Sequence, residues 1–258
     1  MTDLLGAHAI VVGAGMGGLA AAKALSSCFE QVTVLERDAL PNAPEARAGT
    51  PHCQQVHVLL RAGLDALIQL FPEFERELEL AGAVRARAGL ELLVETPGFD
   101  PWPQRDFGFD TLCMTRPLVE FVARRLVQQR RNIEFRWSDP SSEIAFTACD
   151  FIYSCIVLQH NTPPMIHAIL DAAFKALRPG GVILFQVPTY CVEYEFSIET
   201  YLRGDVNETD MEMHCLPQSA IFSLARKNGL EVKLVLEDDW TGDRNRYISN
   251  SFLLQKLA

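Results

Sequence analysis

Short runs of apolar residues punctuate the chain, and amphipathic segments separate them. Within the separating segments, apolar residues recur every three or four positions, as they do on one face of a helix. Apolar, β-branched runs bounded by glycine, proline or polar residues are typical of buried parallel strands. The pattern predicts an α/β protein whose main strands begin at Ile10, Val32, Ile133, Cys149, Val182, Leu230 and Ile248.

The stretch between the second and third of these strands is long and mixed in character. Leu60 to Phe71 and Glu73 to Leu80 have the apolar spacing of two helices. Apolar runs at Leu90 to Thr96 and Thr111 to Met114 predict two short strands. We therefore expect residues 50–110 to form an inserted segment of helices and strands.

A glycine-rich turn follows the first strand, and an alanine-rich helix follows the turn. Gly13, Gly15 and Gly18 fit the pattern G-x-G-x-x-G. Its first glycine permits a sharp turn, its second lets a pyrophosphate approach the backbone, and its third lets the helix pack closely on the strand. The second strand ends on Glu36, where a carboxylate can accept hydrogen bonds from ribose hydroxyls. These features predict a nucleotide-binding site at the N-terminus of the helix.

Composition narrows the classes of partner. The 258 residues are 48% hydrophobic and 22% charged, which suits one large or two small globular domains. The net charge of −10 disfavours nucleic acid and anionic membranes, and no apolar run is long enough to span a bilayer. The histidines lack metal-site spacing, and the seven cysteines include no C-x-x-C pair. We expect a cytoplasmic protein with reduced thiols, a small-molecule substrate and no metal.

The composition changes along the chain. Residues 1–137 contain 13 Arg and one Lys, whereas residues 138–258 contain 5 Arg and 4 Lys and all five tyrosines. A polar, proline-containing joint, SDPSSE, starts at Ser138. The sequence therefore predicts two parts of different compositional origin, 1–137 and 138–258, which share one continuous sheet in one interpretation.

Residues 8–137 resemble the N-terminal part of FAD-dependent monooxygenases and related flavin oxidoreductases. The resemblance rests on the glycine turn with Glu36, on R-x-G-x-P at Arg47 to Pro51, and on Met114 to Leu118, which is similar to the family's strand-to-helix entry. It implies that the turn and Glu36 hold the ADP half of FAD and that Arg47 and Arg116 approach the cofactor. A solvated or helix-capping charge is the alternative for each arginine. The family's later Gly-Asp segment is absent.

Residues 143–258 resemble the back half of class I S-adenosylmethionine (SAM)-dependent methyltransferases. In that family the turn after the first strand of this half, here Ser154 to His160, lines the methionine side of the cofactor pocket, and Met211 to Pro217 faces the substrate. The family's own glycine motif, its acid for the SAM ribose and its adenine-binding acid are missing here. The sequences that carry the resemblance are DFIYSCIVLQH from Asp150, LRPGG from Leu177, VILFQVP from Val182 and MEMH from Met211.

One interpretation of His160 and His214, two histidines of this half, is that they act as general bases. A place in the core or at an interface is the interpretation that we favour for both. For His57, in the first half, we favour a histidine whose hydrogen bonds are satisfied at a helix start over a catalytic base.

The two parts combine into a doubly wound, mostly parallel Rossmann-like sheet of order 3-2-1-4-5-7-6, with the last strand of the chain antiparallel. Its switch point lies between strands 1 and 4, where such sheets bind ligands. The glycine turn would then face Ser154 to His160. The predicted cofactor-binding residues are Gly13, Gly15, Met16, Gly17, Gly18, Glu36, Arg37, Arg47, Arg116 and Ser154, and the sequence identifies no catalytic residue.

Three functions remain open at this point. The first, which we favour from sequence, is a monooxygenase-like oxidoreductase that binds FAD, joined to a partial methyltransferase region. The second is a class I methyltransferase that binds SAM with a replaced cofactor half. The third is a catalytically inactive hybrid that binds a nucleotide. Fold resemblance alone does not decide among them.

Overall fold

The computed structural model describes residues 4–50, 53, 56–92, 95–138, 146–203 and 213–258. The chain divides into two compact units. Unit 1 comprises Met1–Ala39 and Arg130–Ala258, and unit 2 comprises Leu40–Gln129. The division predicted from composition, 1–137 and 138–258, is a different one and stays a prediction.

The elements are numbered along the whole chain. The strands are β1 (Gly6–Val12), β2 (Phe29–Glu36), β3 (Val56–Leu59), β4 (Val84–Arg87), β5 (Asp110–Thr115), β6 (Ile133–Trp137), β7 (Cys149–Ser154), β8 (Leu177–Cys191), β9 (Leu230–Asp238) and β10 (Tyr247–Lys256). The helices are α1 (Met16–Leu25), α2 (Arg61–Leu70), α3 (Phe74–Leu80), α4 (Arg116–Gln128), α5 (Pro163–Ala176), α6 (Ile198–Leu202) and α7 (Gln218–Lys227).

Unit 1 contains one seven-stranded sheet in the order β6-β2-β1-β7-β8-β10-β9. The pairs β1–β2, β1–β7, β2–β6 and β7–β8 are parallel, whereas β10 is antiparallel to both of its neighbours. In order of the unit's own strands this is 3-2-1-4-5-7-6. The predicted fold class, a Rossmann-like, doubly wound and mostly parallel sheet of this order, is confirmed.

The hydrophobic core of unit 1 lies between the sheet and helices α5 and α7. Ile152 of β7 and Phe185 of β8 are almost fully buried against Ile166 of α5 and Ile221 of α7. Phe185 also stacks on Phe252 of β10, with ring centroids 5.0 Å apart. Burial of each such side chain contributes about 1.5–3 kcal/mol, so the apolar runs seen in the sequence hold the sheet and helices together.

One carboxylate fastens three strands at the amino end of the sheet. Asp150, in β7, accepts hydrogen bonds from the backbone N–H groups of Ala7 (2.8 Å) and His8 (2.9 Å) in β1. The Arg178 guanidinium of β8 donates to the same carboxylate oxygen at 2.9 Å. Strands distant in sequence are thereby fixed in register.

Unit 2 contains a three-stranded antiparallel sheet in the order β3-β5-β4, together with α2, α3 and α4. The predicted helices at 60–71 and 73–80 are confirmed as α2 and α3. The predicted strand at Leu90 to Thr96 is wrong. The strand lies earlier, at β4, and the chain then turns, with the N–H groups of Leu90 and Glu91 both donating to the Arg87 carbonyl. Leu93 and Val94 lie outside the described residues.

The helices are short relative to a lipid bilayer. In the part of the chain that the structure describes, no helix combines the length and the apolar character that a membrane span needs.

Candidate functional site

The glycine turn leads directly from β1 into α1. Gly13 follows β1 with a φ of +93°, and its N–H donates to the Leu35 carbonyl of β2 at 2.8 Å. Gly15 is the extended N-cap residue of α1, which begins at Met16. The first-turn N–H groups of a helix lack partners within the helix, so this terminus presents donors and a positive dipole end. The predicted strand, turn and helix therefore occur in the predicted order.

Close packing explains two of the glycines. A Cβ on Gly18 would lie 1.9 Å from the Gly13 carbonyl oxygen, so α1 approaches the turn more closely than any side chain allows. A Cβ on Gly13 would lie 2.6 Å from Cγ2 of Val157. By contrast, a Cβ on Gly17 would meet nothing within 4 Å. The turn thus contacts the segment after β7, and only some of its glycines are needed for space.

The Glu36 carboxylate lies against the glycine turn. Its Oε2 accepts a hydrogen bond from the Ala14 N–H at 2.7 Å, and its Oε1 accepts from the N–H groups of Arg37 (2.8 Å) and Asp38 (3.1 Å). Glu36 is buried, whereas the side chain of Arg37 is nearly half exposed. Glu36 therefore positions the turn, and its contact with a ribose stays a prediction.

The register of the sheet brings Ser154 beside the glycine turn. Val12, the last residue of β1, pairs with Ser154, the last residue of β7. β1 and β7 are parallel, so the glycine turn and the segment 154–160 both lie at the carboxyl ends of these strands. This is the arrangement predicted for the switch point.

The segment after β7 is strained and braced. Ile156 has a φ of +55°, which is uncommon for a β-branched residue. Its N–H donates to Oε1 of Gln186 at 2.9 Å, and Nε2 of Gln186 donates to Oγ of Ser249 at 2.7 Å. Backbone strain held by surrounding hydrogen bonds clusters at ligand sites. Gln186 and Ser249 were not predicted, although a glutamine inside the apolar run VILFQVP is a signal that could have indicated the first.

Two buried polar atoms of this segment lack hydrogen-bond partners within the described residues: Oγ of Ser154 and Oε1 of Gln159. The two residues are 3% and 2% exposed. An unsatisfied buried polar atom costs about 1–3 kcal/mol, so a ligand that supplies the missing partner would gain that free energy. Both residues belong to the stretch that resembles the methionine side of a SAM pocket.

His214 contacts the segment 154–160 through the backbone of Gln159. Its backbone N–H donates to the Gln159 carbonyl at 2.8 Å, and its Nδ1 lies 2.8 Å from the Tyr194 hydroxyl. The rings of Tyr194 and Phe196 approach the imidazole edge-on, and the histidine is buried. This environment fits the core position that we favoured. Pro51, Met211 and Glu212 lie outside the described residues, as do residues 139–143 of the predicted joint and the side chain of His57.

Arg47 and Arg116 belong to unit 2. Nε of Arg47 donates to Oε1 of Glu120 at 2.8 Å, and both side chains are buried. Arg116 begins α4, and its Nε is buried without a hydrogen-bond partner among the described residues. Burial lowers the pKa of the neighbouring Arg124; Glu120 opposes this effect and Arg47 adds to it. Among the residues described, no group of three or more His, Cys, Asp or Glu side chains could hold a metal ion.

Comparison with known proteins gives one relative in sequence. No protein-family model matches the chain. A segment of 132 residues is 43% identical to Protein Rv3254 of Mycobacterium tuberculosis (strain ATCC 25618 / H37Rv). That segment covers 49% of this chain and 27% of the relative, so the chain spans about a quarter of the curated relative that it matches.

Solved structures similar to the chain include N-methyltransferase NodS from Bradyrhizobium japonicum WM9 with S-adenosyl-L-homocysteine (SAH), at a TM-score of 0.44 and 10% identity, covering 97% of this chain and 78% of NodS. Magnesium protoporphyrin IX methyltransferase from Synechocystis PCC 6803 with bound SAH has a TM-score of 0.46 and 9% identity, covering 97% and 74%. An O-methyltransferase family 2 protein from Planctomyces limnophilus DSM 3776, complexed with apigenin, has a TM-score of 0.42 and 12% identity, covering 97% and 51%.

The prediction of a FAD-binding oxidoreductase is wrong. The three solved structures above are methyltransferases, and two of them hold SAH. The sheet gives the physical reason. The strands of the first part are completed by β7, β8, β10 and β9 in a single sheet, so the first part does not stand as a separate flavin module.

Proposed function

We propose that the chain binds SAM at the carboxyl edge of its seven-stranded sheet and transfers the methyl group to a small molecule. One observation carries the proposal. Val12 pairs with Ser154, and Gly13 contacts Val157, so the glycine turn and segment 154–160 form two sides of one site at the switch point. Ligands of open α/β sheets bind at such points.

The residues present fit the chemical groups of SAM. The Glu36 carboxylate can accept hydrogen bonds from the ribose hydroxyls, as acids at the end of the second strand do in nucleotide-binding folds. The α1 N-terminus offers N–H donors to a carboxylate. Oε1 of Gln159 can accept from an ammonium group, and Oγ of Ser154 is the second buried atom that lacks a partner in the described structure.

When bound, SAM would supply the methyl group on its positively charged sulfur to an oxygen or nitrogen atom of the acceptor; the S–CH₃ bond would break, SAH would leave, and the acceptor's proton would pass to water. The protein's contribution is to hold donor and acceptor in line and to exclude water, which alone accounts for a large part of the acceleration. The strained, braced turn at Ile156 keeps the Ser154–His160 wall rigid for that purpose.

Calorimetric titration with SAH tests the proposal. We expect one-site binding to the native chain. Glu36→Gln should weaken it by about 10–100-fold, because hydrogen bonds to a charged group contribute about 1.5–3 kcal/mol. Glu30→Gln is the matched control, since Glu30 is an exposed carboxylate on the same strand, and it should leave the affinity unchanged.

Ser154→Ala separates binding from folding. Removing a buried hydroxyl that lacks a partner should leave the free energy of unfolding unchanged or higher, while SAH binding weakens. A purely structural role for Ser154 would instead lower stability and leave binding intact. The proposal would be overturned by a folded protein that does not bind SAH at millimolar concentration, or that binds FAD instead.

A further inference from the structure

Unit 2 contains a cavity of about 370 Å³ that belongs to unit 2 alone. Its volume lies within the range of about 300–1,000 Å³ typical of small-molecule pockets. Buried Thr111 and Ala88 lie among its lining residues, and the more exposed Trp102, Phe107 and Phe109 contribute three aromatic rings.

Backbone hydrogen bonds within the unit fix the segment that carries Phe107 and Phe109. The Ala88 N–H donates to the Phe109 carbonyl at 3.1 Å, and the Phe107 N–H donates to the Ala88 carbonyl at 3.2 Å. The Arg105 N–H donates to the Gly89 carbonyl at 2.9 Å. Gly89 has a φ of +80°, and a Cβ there would lie 2.0 Å from the Arg105 carbonyl oxygen. The cavity is therefore formed before any ligand arrives, which lowers the entropy cost of binding.

The charged side chain that lines the cavity is paired with a carboxylate. Arg61 is the charged residue of the lining, and its guanidinium contacts the Asp65 carboxylate at 2.8 and 3.1 Å. The Thr111 hydroxyl donates to the Leu59 carbonyl at 3.1 Å. The side chains of Val58, Leu60 and the three aromatic residues are left to contact a ligand, and none of them carries a charge.

We propose that this cavity binds an uncharged, planar aromatic molecule. Aromatic rings gain from stacking on a planar ligand in addition to the burial of apolar area. Trp102 is 58% exposed and Leu60 is 73% exposed, so a ligand would cover apolar surface that faces water in the free protein. The proposal does not depend on SAM binding, because every contact that carries it lies in unit 2.

The test is a fluorescence titration of the full chain with N-phenyl-1-naphthylamine, an uncharged aromatic probe whose emission rises in apolar surroundings. We expect saturable one-site binding. Trp102→Ala and Phe107→Ala should each weaken it by about tenfold, the loss expected for one aromatic contact. Phe99→Ala is the matched control, because Phe99 is an exposed aromatic residue of the same loop that does not line the cavity.

Energy transfer locates the probe. The chain has three tryptophans, so Trp137→Phe/Trp240→Phe leaves Trp102 as the donor, and the bound probe should quench its emission. The proposal fails if neither cavity variant weakens binding, or if the Trp102 emission does not change as the probe binds. The anionic analogue 1-anilinonaphthalene-8-sulfonate tests the ligand class, and tighter binding of that analogue would show that the site selects an anion.

Discussion

At the scale of single residues, Gly18 is the position where an added carbon atom matters most. A Cβ there would lie 1.9 Å from a backbone oxygen, which cannot move away without shifting the turn. We expect Gly18→Ala to lower the free energy of unfolding by about 3 kcal/mol, at the upper end of overpacking effects. The change is measurable by urea denaturation followed by circular dichroism.

Gly17 provides the control for this substitution. It belongs to the same helix turn, and a Cβ there would meet nothing within 4 Å. Gly17→Ala should raise the free energy of unfolding by up to about 1 kcal/mol, since alanine is the better helix former. Equal effects of the two substitutions would show that α1 does not press on the turn.

At the scale of elements, Asp150 links β1, β7 and β8 and makes the stability depend on pH. Burial alone would raise the pKa of this carboxyl, but hydrogen bonds from the His8 N–H, the Arg178 guanidinium and the Ala7 N–H outweigh it, so the pKa is lowered. A lowered pKa in the folded state means that the stabilisation is present above the unfolded value of about 3.9 and is lost as the pH falls through the folded value.

Asp150→Asn should therefore lower the free energy of unfolding by about 1–3 kcal/mol at pH 7. The difference from the unsubstituted chain should begin to shrink as the pH falls below about 4, where the carboxyl of the unfolded chain takes up a proton, and it should vanish below the lowered pKa of the folded carboxyl. Urea denaturation at pH 7 and at pH 3 measures both values. Asp100→Asn, at an exposed loop position, should change neither. A difference of the same size at pH 7 and at pH 3 would assign the effect to packing rather than charge.

The sequence was sufficient for the elements whose signal is local. β-branched runs predicted β1 and β2, and the glycine spacing predicted the turn before α1. It failed where the signal is non-local. β4 contains two arginines in its four residues and gave no apolar run, so the strand was expected too late. The bond between Gln186 and Ser249 joins residues 63 positions apart, and no local pattern indicates such a partner.

At the scale of the whole molecule, the wrong cofactor prediction has a physical origin. A glycine turn followed by a helix and an acid serves any ligand with a ribose and an anionic group, so the motif does not distinguish FAD from SAM. The sequence also predicted that the strand ending at Ser154 lies beside β1, and the pairing of Val12 with Ser154 agrees with this. The strand order therefore did not separate the two cofactors at the sequence level.

If the two compositionally different parts form one sheet, they should unfold together. Trp137 lies at the end of β6, the strand at one edge of the sheet, and Trp240 follows β9, the strand at the opposite edge. Because parallel pairing of β1 with both β2 and β7 connects the two edges, loss of either side exposes the core of the other. We expect single-tryptophan chains, Trp102→Phe/Trp240→Phe and Trp102→Phe/Trp137→Phe, to show the same urea midpoint by fluorescence, as two-state unfolding requires.

Trp137→Phe/Trp240→Phe, which keeps Trp102, reports on unit 2 in the same titration. Different midpoints for Trp137 and Trp240 would mean that the two parts unfold independently and that the sheet is not one cooperative unit.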